Sequence, residues 1–281
     1  MPLIGLIDEN GIPFEWSDVE AGKGSFNDPG PVLMIMHKDR ESYCDFSVTE
    51  LLDDPYHVQM KRRFDYFERP EKFYDLIQGT MIHVFLEHSL GFEGSIKEKK
   101  MTKLMKAFDR KKHKVGGTLD LLENGTLWDY KSISMSKVKM MISGKIPDGV
   151  TKYYDQANCY YNLGLETGLI IRRIKIRFFV KDWRRYEFLK HGQDYKAYPK
   201  GFTVDVPIYD TLRTNSLMSK ALNRHVKASK LSDNQLQEIG ECDTWNNNLR
   251  CQEYCSFGDV CWFRRQEKAV KGKKTRKRRK A

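Results

Sequence analysis

VGGTLDLLENGTLWDYKS, residues 115–132, is the stretch that decides how the rest of the chain is read. Asn124-Gly125 lies between two runs rich in strand-favouring residues, a combination that predicts a two-residue hairpin turn. With those two residues as the loop, Glu123 faces Thr126, Leu122 faces Leu127, Asp120 faces Asp129 and Thr118 faces Lys131. Cβ atoms directly opposite each other in an antiparallel pair sit ~4.5–5.5 Å apart, so the two carboxylates repel unless a cation lies between them. Side-chain alternation puts Lys131 on the face of Asp129. Asp, Asp and Lys together in the middle of a sheet are costly to build and read as a divalent-metal site with an ammonium beside it. The alternative is a solvated hairpin face carrying three ordinary charges.

Upstream of the hairpin, residues 71–90 read as a helix with an apolar stripe of Leu76, Ile77, Met81, Val84 and Phe85. His83 shares one side of it with Gly79 and Glu87 by the four-residue rule. Residues 95–101 then read as a strand carrying Glu98, although Lys97, Lys99 and Lys100 fit a charged surface equally well. Downstream, residues 149–168 form an aromatic-rich helix with Tyr153, Gln156 and Tyr160 on one face, a pattern that simple aromatic packing also produces. Residues 169–180 are the clearest strand and 210–240 a further helix. Ser47 to Glu50 is a capping box opening a helix that Asp54-Pro55 interrupts. The basic, aromatic segment 56–69 suits either a nucleic-acid surface or an exposed amphipathic helix. AGKGS at 21–25 lacks the first glycine and the Lys-Ser/Thr pair of a phosphate loop, so that reading is rejected.

Composition narrows the classes. The 281 residues carry a formal charge of +11, but nine lysines and arginines fall in 268–281, leaving 40 basic against 38 acidic residues elsewhere. Basicity is thus a property of the tail, which points to a polyanion there and says little about the body. No apolar run is long enough to span a membrane, and MPLIGLIDENG lacks a signal-peptide pattern. Asn124-Gly-Thr is therefore read as a turn and not as a glycosylation site. Three of the six cysteines fall within residues 251–261, which fits metal or cluster ligation in a reducing, cytoplasmic compartment better than a disulfide framework.

The order of these features resembles the RecB-type branch of the PD-(D/E)XK nuclease superfamily, most closely the CRISPR-associated exonucleases and their phage relatives. The matching residues are Gly79-x-x-x-His83, Glu98, Gly117-x-x-Asp120, Asp129-Tyr130-Lys131 and Gln156-x-x-x-Tyr160. The resemblance implies an α/β fold, with a restriction-endonuclease-like mixed sheet flanked by helices and a C-terminal cysteine-rich segment. It divides the chain into N-terminal strands and linker (1–45), nuclease core (46–240), cysteine segment (241–266) and basic disordered tail (267–281). It further implies a Mg²⁺- or Mn²⁺-dependent deoxyribonuclease, an exonuclease before an endonuclease, acting on single-stranded DNA or duplex ends. His83, Asp120, Asp129, the Tyr130 carbonyl and Glu98 would bind metal. Lys131 would orient or deprotonate water, and Gln156 and Tyr160 would position DNA or brace the site.

Cys251, Cys255 and Cys261 resemble the late cysteines of the iron–sulfur members of this group, where an early cysteine completes a [4Fe–4S] site. Two departures stand out: the late spacing has one extra residue, and Asp54-Pro55 occupies the usual early Cys-Pro slot. The fourth ligand is then Cys44 or Cys242, and Cys242 would make a local site that zinc also accepts. Cys159 reads as a buried helix residue. A rival reading is a non-catalytic nucleic-acid-binding protein with a zinc-type cluster on a degenerate nuclease scaffold.

Overall fold

The computed structural model describes residues 3–36, 42–89, 93–238, 255 and 257. In chain order the strands are β1 (Leu3–Ile7), β2 (Pro13–Glu15), β3 (Phe46–Ser47), β4 (Tyr66–Glu68), β5 (Ile96–Lys106), β6 (Lys112–Glu123), β7 (Thr126–Ile133), β8 (Arg173–Val180) and β9 (Gly201–Val206). The helices are α1 (Trp16–Glu20), α2 (Gly30–Met36), α3 (Val48–Leu51), α4 (Pro55–Arg63), α5 (Tyr74–His88), α6 (Met135–Ile142), α7 (Asp148–Glu166), α8 (Arg185–Lys190), α9 (Thr211–Ser229) and α10 (Asp233–Glu238). Among the described residues no helix is long and apolar enough to cross a membrane.

The chain forms two compact units. One draws on the described residues of Met1–Glu41, Asp53–Ile77 and Leu222–Ala281. Its sheet has the order β2-β1-β4 and packs around Leu6, Trp16, Val19, Leu33 and Met36. Asp54-Pro55 turns out to start a helix: the Asp54 carboxylate accepts from the N–H groups of Tyr56 and His57, with proline in the first turn of α4. In the basic segment that follows, the Arg63 guanidinium donates to the Ser229 and Leu231 carbonyls, so that charge closes the end of α9. The expected helix over 210–240 is two helices. Between them Ser232 and Gln235 bond reciprocally, starting α10 afresh.

The other unit, Ser42–Leu52 and Gln78–Ala221, holds the hairpin. Asn124 (φ 50°) and Gly125 (φ 69°) both adopt the left-handed conformation that a two-residue type I′ turn requires. The register is the expected one next to the turn, with Glu123 opposite Thr126, Leu122 opposite Leu127 and Leu121 opposite Trp128. There the ladder stops, and the longer pairing read from the sequence is corrected. β3 pairs in parallel with Val115 and Gly116 on the edge that β7 has left, while β7 runs parallel to β8 along its whole length. Asp120 and Asp129 are thus not a ladder pair, and Thr118 lies opposite Lys100 of β5, not Lys131. The cause is visible at the fork: the Asp120 carboxylate accepts the Tyr130 N–H at 2.7 Å, replacing a main-chain acceptor.

The result is a mixed sheet of order β3-β6-β7-β8-β9, with β5 also on β6, flanked by helices. This is the α/β class expected from the sequence. Helix α7 covers the face carrying Gly117, where an added Cβ would come within 2.5 Å of the Tyr160 ring. By alternation, Asp129 and Lys131 share that face and Tyr130 points to the other. β5 is longer than expected and β8 shorter, because Leu169 and Ile171 are buried in irregular chain ahead of the strand. β9 had no counterpart in the sequence reading.

Candidate metal centre

Three elements converge beside the fork. The His83 Nδ1 on α5 lies 3.5 Å from an Asp120 oxygen on β6 and 3.8 Å from a Glu98 oxygen on β5. One ligand atom from each of the three residues falls within 4.8 Å of the other two. Lys97 opposes Leu121 and Lys99 opposes Leu119, so Glu98 stands across from Asp120. Its backbone is left-handed (φ 44°) in the interior of a strand. For a non-glycine residue that conformation costs ~1–3 kcal/mol and persists only where the surroundings enforce it. α5 turns His83 to the sheet and leaves Met81, Val84 and Phe85 of the expected apolar stripe exposed, while Ile77 of that stripe packs against the cluster around Leu6 and Trp16.

Burial, and next the Asp129 charge, push the Asp120 carboxyl up to about 7, while Lys131, His83 and the Tyr130 N–H work against the shift. The Glu98 carboxylate raises the His83 imidazole, against its burial, and Asp120 adds to the rise. The cluster therefore binds protons near neutrality, and a divalent cation would displace them.

Asp129 and Lys131 form an ion pair on the α7 face, Nζ to Oδ1 2.7 Å. Asp129 is 1% exposed, and its second oxygen is buried without a hydrogen-bond partner. An orphaned buried acceptor costs ~1–3 kcal/mol, more when charged, and a cation is what such an oxygen fits. Burial opposes the Lys131 charge, but Asp129 and Asp120 together outweigh it and raise its pKa, so Lys131 is an ammonium at neutral pH. The Tyr153 ring lies under that ammonium, 5.7 Å from Nζ to the centroid. Burial pushes the Tyr160 phenol up to about 12, which leaves it a neutral hydrogen-bonding group. The Gln156 amide donates to the Tyr160 hydroxyl (2.6 Å) and to the Thr49 hydroxyl (3.3 Å).

The structure thus brings His83, Glu98 and Asp120 together, and sets Asp129 and Lys131 close enough for their charges to shift Asp120. Gln156 and Tyr160 lie on the helix above Lys131. The Tyr130 ring sits on the other face, 6.3 Å from the His83 ring. Thr49 was missed because the capping box already accounted for its neighbours, and no local pattern says that α3 meets α7. Of the cysteines, Cys159 is buried, its thiol pushed up to about 12 by that burial. Cys44 is half-buried against Gly116, where a Cβ would come 2.9 Å from its sulfur. Cys255 packs against the cluster of Met60, Leu236 and Phe257. Cys242, Cys251 and Cys261, like the basic tail, lie outside the described residues.

No protein-family profile matches this chain, and no curated protein matches it. Among solved structures, the crystal structure of SSO0001 superposes with a TM-score of 0.51 at 14% identity, covering 83% of this chain and 93% of that one. A phage related exonuclease from Haemophilus somnus 129PT gives a TM-score of 0.32 at 14% identity, covering 78% of this chain and 92% of its own. At this identity the likeness to SSO0001 is one of fold.

Proposed function

We propose that this chain is a divalent-metal-dependent deoxyribonuclease that hydrolyses phosphodiester bonds, acting from DNA ends. One observation carries the reading: an imidazole and two carboxylates converge next to a buried carboxylate–ammonium pair that keeps one oxygen unpartnered. His83, Glu98 and Asp120 would hold Mg²⁺ or Mn²⁺, with Asp129 and the Tyr130 carbonyl as further oxygens, a donor set suited to hard cations. A bound dication would polarise a phosphoryl oxygen and acidify water.

The protein's own groups supply the rest. Lys131, held protonated, aims a fixed positive charge at the oxygens of a phosphodiester as their charge grows, in a site already screened from water. Its protonated state gives it an electrostatic and orienting role and not that of a base. The same ammonium pins Asp129 through Oδ1 and leaves Oδ2 free. Gln156, anchored on Tyr160 and Thr49, is placed to orient the substrate strand. By the sequence resemblance, Cys251, Cys255 and Cys261 with Cys44 or Cys242 hold a [4Fe–4S] cluster, or zinc at the local site.

End-labelled single-stranded and duplex DNA, incubated with Mg²⁺ or Mn²⁺, tests this reading. Products should shorten progressively from an end, circular DNA should resist, and EDTA should abolish cleavage. Intact substrate with both metals, or full activity in EDTA, refutes it.

A further inference from the structure

β7 and β8 run parallel, so the chain segments leaving them emerge at one end of the sheet. They are tied together: the Lys181 N–H donates to the Ile133 carbonyl (3.0 Å) and the Met135 N–H to Asp182 (2.6 Å). Residues 134–146 and 181–200 hold nine lysines and arginines against three acids, and one of those acids is Asp182, spent on the Met135 N–H. The segment 181–200 has its own aromatic core. Phe188 is buried and stacks on Tyr198 at 4.8 Å between centroids, and the Trp183 indole donates to the Tyr198 carbonyl at 2.8 Å.

That core grips cations from outside. Lys139 of α6 lies over Phe188 and Tyr198 at 5.3 and 5.4 Å and donates to Gln193 at 3.1 Å. Arg185 stacks on Tyr195 at 4.5 Å, and Lys200 on Trp183 at 4.8 Å. Long basic side chains usually lose rotamer freedom when they bind an anion; stacking on rings removes that freedom in advance. Arg184, Lys190 and Lys196 stand exposed beside them. Ser134, where the first segment begins, is three strand residues from Lys131, ~10 Å away at ~3.3 Å per residue.

We infer that this basic, ring-braced platform binds the sugar–phosphate backbone of a DNA strand a few nucleotides from the scissile bond. The inference rests on the nuclease reading for the identity of its ligand. Pre-positioned positive charges track a polyanionic backbone independently of base sequence.

The test pairs a binding and a turnover measurement on the full chain. Affinity for a fluorescent single-stranded oligonucleotide is titrated in EDTA at several salt concentrations. Turnover of a small chromogenic diester, thymidine 5′-p-nitrophenyl phosphate, is read with Mn²⁺, since that substrate is too short to reach the platform. Arg184→Gln with Lys190→Gln removes two phosphate contacts, so the log–log salt slope should fall by about 1.4. Over the decade from 1 M down to 0.1 M salt, that slope corresponds to roughly 25-fold weaker binding. Small-diester turnover should be unchanged. Arg172→Gln with Arg173→Gln removes the same charge at the opposite end of β8 and should leave affinity within about twofold, as few phosphate contacts are lost there. Unaltered affinity and slope in the platform variant overturn the proposal and leave the face to an acidic protein. Equal weakening by the control pair, or a wild-type chain that does not bind DNA, overturns it too. If the platform pair behaves as expected but the wild type hydrolyses neither substrate, the nuclease reading fails and the binding face stands.

Discussion

Replacing Lys131 with methionine probes the buried ion pair most directly. The substitution keeps the aliphatic stem near Tyr153 and removes the charge 2.7 Å from Asp129, which is 1% exposed and already has one unpartnered oxygen. Breaking one side of a buried pair costs ~3–5 kcal/mol, because the surviving charge is stranded. At ~2–4 °C of melting temperature per kcal/mol for chains of this size, Tm should fall by about 10 °C. Adding Asp129→Asn removes the stranded charge, and the double variant should recover most of the lost Tm. Activity should not recover: loss of a pre-positioned charge costs ~10²–10³-fold in turnover. The assays are thermal unfolding and cleavage of end-labelled DNA. A Lys131→Met protein that melts with the wild type, or a double variant less stable than the single, would refute the account of the pair. Wild-type cleavage by either would remove Lys131 from the chemistry.

His83→Ala should raise the Mn²⁺ concentration for half-maximal cleavage by an order of magnitude or more, consistent with the loss of one ligand; an unchanged titration makes His83 a packing residue. Asp120, raised to about 7, and His83, also raised, both hold protons in the metal-free fold that the unfolded chain releases more readily. Their contribution to stability is therefore complete at low pH and lost as pH rises through their folded values. In EDTA, Tm should fall as pH rises from about 4 to about 7, the span between the ordinary and the raised Asp120 values, and saturating Mn²⁺ should flatten that slope; a flat profile in EDTA contradicts the shifted values. Gly117→Ala drives a Cβ to 2.5 Å from the Tyr160 ring and should cost ~1–3 kcal/mol, with the Gln156 contact disturbed; a neutral Tm would mean that α7 yields. Anaerobically purified protein should be brown, with iron and sulfide, and Cys255→Ser should bleach it. A colourless preparation holding one zinc selects the local Cys242 site instead.

What the sequence could and could not reveal follows from the range of each signal. The Asn124-Gly125 turn, the Ser47–Glu50 box and helix α7 are decided by neighbours within four residues, and all are where the pattern puts them. The common face of Asp129 and Lys131 needs only the two-residue period of a strand. The strain at Glu98, the Thr49 contact and the inward side of α5 depend on partners from distant segments, and no period encodes them. The fork is the decisive case. β3 and β7 compete for one edge of β6, opposite the edge held by β5, and each takes a share of it. Had the β6–β7 ladder continued, Asp120 and Asp129 would have faced each other as a repelling pair in a closed sheet. Because it opens after Leu121, Asp120 can satisfy the Tyr130 N–H with one oxygen and offer the other to His83. The carboxylate that ends the ladder is therefore the one that stands between the Asp129–Lys131 pair and the His83 imidazole. A substitution that closed the fork would dismantle the site without touching a ligand.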